Sequence, residues 1–127
     1  MTREIVRSGR APAAIGPYSQ AIVSGGVLYC SGQIGLDPAT GELAPGGFEA
    51  EARQVLANLS AVAQEAGMAL ADAVKLTVYV VNLADFPKLN EIFASVLSEP
   101  YPARATVEVS ALPRGASIEI DMVATMG

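Results

Sequence analysis

The stretch FEAEARQVLANLSAVAQEAG (residues 48–67), followed closely by VKLTVYV (residues 74–80), decides the fold, because its apolar residues change from one period to another. Phe48, Ala52, Val55, Leu56, Leu59, Val62, Ala63 and Ala66 fall on one face at helical spacing, and Gly67 is placed to end that helix. Val74, Leu76, Val78 and Val80 then alternate with Lys75, Thr77 and Tyr79, which is the pattern of a strand with one apolar face. A long helix with a single apolar stripe beside a half-polar strand predicts a helix packed on one side of a sheet.

Toward the N-terminus, Ala21-Ile22-Val23-Ser24 and Val27-Leu28-Tyr29-Cys30-Ser31 flank Gly25-Gly26, a pair that tolerates the positive φ angles of a two-residue hairpin turn. Residues 3 to 7 alternate weakly, as an edge strand does. Gly9 to Pro17 is too rich in Gly and Pro to be helical throughout and predicts an ordered arm or loop. Asp37 to Gly41 and Ala44 to Gly47 punctuate the loop before the helix. Toward the C-terminus, Asp85 is placed to cap a second helix that begins at Phe86-Pro87 and buries Leu89, Ile92, Phe93, Val96 and Leu97, until Pro100 and Pro102 forbid its continuation. Two alternating strands follow, near 104–110 and 116–124, joined through Leu112-Pro113-Arg114-Gly115.

The order βββαβαββ predicts an α+β fold with one mixed sheet of about six strands and both helices on one face. In the last two strands, Ala105, Val107 and Val109 with Ile118, Ile120 and Met122 are expected to face the helices. Arg104, Thr106, Glu108 and Ser110 with Ser117, Glu119 and Asp121 would then form a semi-polar opposite face, shared between subunits.

The chain has 127 residues, the size of a single domain over 1–127, long enough to build a core without disulfides or structural metals. Eight basic against 13 acidic residues leave a net charge of −5, which gives no electrostatic footprint for nucleic acid. There is no histidine, so Ser/His and Cys/His dyads, imidazole bases and nearly all zinc or iron sites are excluded. The single cysteine, Cys30, cannot form an intramolecular disulfide, which suits a reducing cytosol. Met1-Thr2-Arg3-Glu4 carries no signal pattern and no apolar run approaches the roughly 18 residues that span a bilayer, so a soluble, cytoplasmic protein without a membrane partner is expected. Yet 51% of the residues are hydrophobic, only 17% are charged, and the mean hydropathy is +0.38. In a small domain that excess is most simply hidden in a subunit interface, which predicts a homo-oligomer.

Few residues are placed to carry chemistry. Arg104 opens a strand directly after a rigid proline turn, where its planar fork suits a substrate carboxylate; the plain alternative is a salt bridge to Glu108 or Glu119. Glu119, between Ile118 and Ile120, is suited by partial burial to handling a water proton, or else forms a structural ion pair. The link through Arg114-Gly115 would bring it toward Arg104. Tyr18 follows the Gly16-Pro17 turn and presents a ring and a hydroxyl, although tyrosine more often fills a core. Ser31-Gly32-Gln33 ends a strand, and Gly32 permits a ligand to approach the backbone. Asn90 is the odd polar residue of the second helix, Phe86 either walls a pocket or packs as core, and Cys30 is expected in the core with no catalytic role. No P-loop, dinucleotide fingerprint, EF-hand, GxSxG or CxxC is present.

Taken together, Ala11 to Ala21, Ser31-Gly32-Gln33-Ile34, Asn90, Pro102-Ala103-Arg104 and Ile118-Glu119-Ile120 resemble the RidA/YjgF family, in order and spacing, from about residue 3 to 124. The resemblance implies a chorismate-mutase-like α+β fold and a homotrimer with ligand clefts between adjacent subunits. It also implies hydrolysis of reactive enamines and imines, such as 2-aminoacrylate released by pyridoxal-phosphate enzymes, to a 2-oxo acid and ammonia, with no cofactor and no metal in the protein itself. By position, Arg104 would hold the carboxylate and Glu119 would bind or polarise the attacking water. Tyr18, Ser31, Gly32, Phe86, Asn90 and Thr106 would line the cleft. Some relatives have Cys where this chain has Thr106, a neutral change if only the backbone there meets the ligand. Two other readings stand beside the deaminase: a non-catalytic protein that senses a small carboxylate such as a 2-oxo acid, and the endoribonuclease activity attributed to some relatives, which the acidic charge and the missing histidine disfavour.

Overall fold

Gly25 and Gly26 adopt φ values of 59° and 77° and turn the chain between β2 (Ala21–Ser24) and β3 (Val27–Ile34), as their lack of a side chain allows. The structure, a computed structural model, describes residues 2–126; Met1 and Gly127, the ends of the expected domain, lie outside the described residues. β1 (Glu4–Val6) pairs with β2 at one edge of the sheet. The remaining elements are α1 (Phe48–Glu65), β4 (Ala73–Val80), α2 (Phe86–Val96), β5 (Ala103–Glu108) and β6 (Ile118–Thr125). They form one six-stranded sheet in the order β1-β2-β3-β6-β4-β5, in which β4 and β5 run parallel and the other neighbours antiparallel. This is the mixed α+β architecture expected, with the elements in the expected order.

The periodic stretch forms as read. Val55, Leu56, Leu59, Val62 and Ala63 of α1 are buried, and Gly67 ends the helix at φ 76°. They pack with Leu76 and Val78 of β4, Ile118, Ile120 and Met122 of β6, Leu28 of β3, and Leu89 and Ile92 of α2. Val74 departs from the expected pattern: the pairing of β4 with β6 shifts between Ala73 and Lys75, so Ala73 takes the inward place and Val74 is exposed. Asp85 does stand just before α2, but its side chain caps nothing. The cap belongs to Asn82, whose Oδ1 accepts the Ala84 N–H at 2.9 Å at the start of a 3-10 turn, Leu83–Asp85, that leads into α2.

Two buried amides hold the loops and were not singled out from the sequence. Asn58 of α1 donates through Nδ2 to the carbonyls of Ile34 (3.3 Å) and Leu36 (2.9 Å), satisfying backbone just beyond β3. Gln20 organises the arm before β2. Its Oε1 accepts the Ser8 N–H at 2.6 Å, and its Nε2 donates to the carbonyl of Pro12 at 2.7 Å. Among the described residues, no helix is long and apolar enough to cross a membrane.

Gly35, just after β3, lets α1 approach the sheet. A Cβ there would lie 2.7 Å from the Glu51 carbonyl oxygen and 2.8 Å from its Cα, both main-chain atoms that cannot rotate aside. The same residue's Oε1 accepts the N–H of Ser117 at 2.9 Å, so the first turn of α1 is tied to the start of β6. Gly35→Ala is therefore expected to lower stability by roughly 1–3 kcal/mol, the usual cost of overpacking. A urea-unfolding midpoint equal to that of the parent protein would contradict this account of the contact.

Candidate active site

Arg104 is the second residue of β5, the sheet's outer strand next to α2. Its register partner on β4 is Leu76, and that of Thr106 is Val78, both fully buried under the helices. Partners in register share a face, so Arg104 and Thr106 project to the helix side. There the guanidinium lies 5.3 Å from the ring centroids of both Phe86 and Phe93, and its Nη2 donates to Asn90 Oδ1 at 2.8 Å. Among the described residues Arg104 makes no ion pair, so the salt-bridge alternative does not occur. It is held by two aromatic faces and one neutral amide. That leaves further N–H donors of its fork, and its full charge, directed to a cleft of about 460 Å³ between α2 and β5, lined also by Leu97, Tyr101 and Pro102. Such a volume is typical of small-molecule sites. The Thr106 hydroxyl, two residues along the same face, is buried with no hydrogen-bond partner among the described residues.

Glu119 occupies a different cleft. Its register partner on β4 is Tyr79, and its neighbours Ile118 and Ile120 are buried on the helix side, so Glu119 projects from the opposite, open face. Burial, and then the nearby charge of Asp121, push its carboxyl above the ordinary value. The second cleft, about 270 Å³, is lined by Tyr18 and Gln20 of the arm, Gly32 of β3, Asp37 of the following loop, Arg114 and Glu119.

Gly32 makes room for the carboxylate, since a Cβ there would collide with the end of the Glu119 side chain. The pairing of β3 with β6 skips one residue between Cys30 and Gln33, so Ser31 and Gly32 form a bulge opposite Asp121. The Ser31 hydroxyl donates to the Ser19 carbonyl at 2.6 Å and ties the arm to this bulge. Tyr18 is half exposed at the rim, where its oxygen accepts the Ile15 N–H at 3.5 Å. Cys30 is buried, and burial, followed by Asp121, pushes its thiol up to about 12, so it stays protonated near neutral pH.

The expected polar face is thus corrected in two ways. Ala105 and Val107, expected beneath the helices, lie on the open face, with Val107 exposed, while Arg104 and Thr106 take the helix side. The expected approach of Glu119 to Arg104 through the Arg114-Gly115 link also fails. The last two strands are not neighbours, because β4 lies between them, and the two side chains leave opposite faces of the sheet. Arg104 and Asn90 line one cleft, with the Phe86 ring against the Arg104 guanidinium and Thr106 beside Arg104 on the same face. Tyr18, Gly32 and Glu119 gather in the other, with Ser31 behind it. Phe93 and Tyr101 of the first cleft and Arg114 of the second were not among the residues expected to line a site. The helical spacing of Phe93 predicts a core residue, which it is, but does not reveal that its ring also faces Arg104.

Comparison with known proteins adds sequence and shape. The family model described as Endoribonuclease L-PSP matches residues 8–126. A Bos taurus protein named 2-iminobutanoate/2-iminopropanoate deaminase is 42% identical over 127 residues, covering 100% of this chain and 93% of that protein. The crystal structure of RidA from the Antarctic bacterium Psychrobacter sp. PAMC 21119 superposes with a TM-score of 0.94 at 48% identity, covering 97% of this chain and 99% of the other. E. coli TdcF, solved with bound serine, superposes with a TM-score of 0.92 at 36% identity, covering 98% of this chain and 99% of the other.

Proposed function

Because the chain belongs to the YjgF/RidA family, we propose that it is a deaminase of small 2-imino acids, hydrolysing them to the 2-oxo acid and ammonia. The observation that carries this reading is the Arg104 guanidinium, fixed by Asn90 and two phenylalanine rings and matched by no carboxylate among the described residues. Such a fork takes a planar carboxylate in two parallel hydrogen bonds. The names of the mammalian relatives identify an imine substrate that carries this group, and the serine bound to the E. coli relative is also an amino-acid carboxylate. Among the described residues each of these two clefts is lined by a single arginine, which suits a small monoanion better than the phosphate run of an RNA.

The chemistry asks little of the protein, since an imine carbon is already electrophilic. Arg104 holds the carboxylate and Asn90 holds Arg104. Glu119 takes a proton from water as the water oxygen bonds to the imine carbon and the C=N π electrons move to nitrogen. Glu119 returns that proton to nitrogen to give a neutral amino alcohol, then takes the hydroxyl proton and passes it to the same nitrogen, so that the C–N bond breaks, ammonia leaves and the carbon–oxygen bond becomes the 2-oxo group. Histidine is not needed for any of these steps. Phe86 backs the Arg104 guanidinium, and Thr106 lies beside Arg104 on the same face of β5. Tyr18, Ser31 and Gly32 shape the Glu119 side.

One substrate can meet Arg104 and Glu119 together only if they come from different copies of the chain, because one chain turns them to opposite faces of its sheet. A homo-oligomer with clefts between adjacent subunits, a trimer in keeping with the family resemblance, meets that requirement. The exposed Tyr29, Val74 and Val107 and the low charge content support it. The test is a coupled assay in which a pyridoxal-phosphate dehydratase generates 2-aminoacrylate and release of 2-oxo acid is followed with and without this protein. Acceleration is the expected result. Saturable binding of the 2-oxo acid without acceleration would overturn the deaminase in favour of a carboxylate-sensing protein.

A further inference from the structure

Beside Glu119 the open sheet face carries a second carboxylate with a fixed partner. Asp121 lies two residues further along β6, so both side chains leave the same face. Tyr79 stands across β4 from Glu119 in register, and its hydroxyl reaches diagonally to donate to Asp121 Oδ2 at 3.1 Å. From the other side, the Ser31–Gly32 bulge of β3 lies opposite Asp121, and Gly32 closes around the end of Glu119. One carboxylate is therefore anchored by a phenol, while the other is confined against a glycine that gives it no hydrogen-bonding side chain.

We propose that Asp121, held by the Tyr79 hydroxyl, is a positioning residue that shifts the pH at which Glu119 ionises. This rests on the reading of Glu119 as the group that activates water. The phenol hydrogen bond holds the Asp121 carboxylate at a fixed place, and a fixed negative charge disfavours a second one beside it. Burial is the larger influence raising the Glu119 carboxyl and the Asp121 charge is the next. Other titratable or charged groups near the pair include Lys75 and Tyr79 on β4, Tyr29 and the buried Cys30 on β3, the latter close enough to feel the Asp121 charge, Tyr18 on the arm, Asp37 on the loop after β3, and Arg114 on the turn before β6. Of all these, only Tyr79 touches the carboxylate pair through a hydrogen bond. A carboxyl whose proton affinity is raised exchanges protons closer to neutral pH, which suits a group that must both take a proton from water and return it to nitrogen.

The sign follows directly. Removing the Asp121 charge lets Glu119 ionise at lower pH, so activity that needs the Glu119 carboxylate persists to lower pH. The experiment compares kcat/KM against pH, in the dehydratase-coupled assay with dehydratase in excess, for the parent protein, Asp121→Asn and Asp121→Glu. In parallel, the Glu119 carboxyl is titrated by 13C NMR, its signal identified by its loss in Glu119→Gln. Asp121→Asn is expected to move both the acid limb and the NMR titration to lower pH, and to outpace the parent protein at a pH on the parent's acid limb. Asp121→Glu, which keeps the charge, is expected to keep the parent profile. An Asp121→Asn variant with the parent's limb and the parent's NMR titration would overturn the proposal. If instead Glu119→Gln turned over substrate like the parent while the NMR titration still moved, the coupling of the two carboxylates would stand and the catalytic role of Glu119 would fall.

Discussion

Arg104→Ala is expected to lower kcat/KM for imine turnover by about 10²- to 10³-fold, the usual cost of deleting one partner of a desolvated, hydrogen-bonded charge pair. Folding and assembly should survive. Arg104 makes no ion pair among the described residues, it belongs to the outer strand, and its loss leaves Asn90 exposed to water rather than buried and unpaired. What the variant lacks is the fork, held at 2.8 Å from Asn90 Oδ1 and resting on Phe86 and Phe93. Arg104→Lys should recover little, because an ammonium is a point charge that cannot bond a carboxylate in parallel while keeping the amide contact. Steady-state kinetics, with thermal melting and gel filtration as controls, checks this. Turnover equal to the parent in a folded Arg104→Ala protein would remove the carboxylate clamp from the mechanism.

A mixture of two inactive proteins should regain activity. Glu119→Gln keeps Arg104 and Arg104→Ala keeps Glu119; each alone lacks half of every site. β4 lies between the strands that carry these residues, and their side chains leave opposite faces of the sheet, so an intact site in a hybrid needs one copy of each variant. Random reassociation after dissociation in urea would pair an intact Arg104 with a neighbour's intact Glu119 in about a quarter of the sites of a closed symmetric ring. The specific activity of the mixture should therefore rise to about a quarter of the parent value, measured after native mass spectrometry has shown that hybrids formed. Hybrids without recovery would mean that the two residues do not serve one substrate.

The elements were legible because their signals are local. The helical spacing from Phe48 to Ala66, the Gly25-Gly26 turn and the prolines at 100 and 102 each act within a few residues, and each produced the element expected. The residue types of the candidate site were legible for a related reason. In a chain without histidine and with one buried cysteine, the roles open to a guanidinium after a proline turn and to a carboxylate between two isoleucines are few. Less legible were the polar side chains whose partners are distant in sequence. Gln20 and Asn58 hold backbone 8 and 22 residues away that no local pattern links to them, whereas Asn82 caps its near neighbour Ala84, a contact that the capping preference of Asn does signal.

By itself the sequence determined which segments become helix and strand, and that Arg104 and Glu119 each alternate with apolar neighbours. Only the tertiary structure decided that they face opposite ways. Alternation has a period of two residues and states which side chains share a face, but not which face meets the helices. In β6 the isoleucines settle that choice, because Ile118 and Ile120 are fully buried. In β5 the apolar set is only alanine and valine on an edge strand, too little to outweigh the parallel register with β4. That register places Arg104 level with Leu76 and turns its charge into the cleft beside α2.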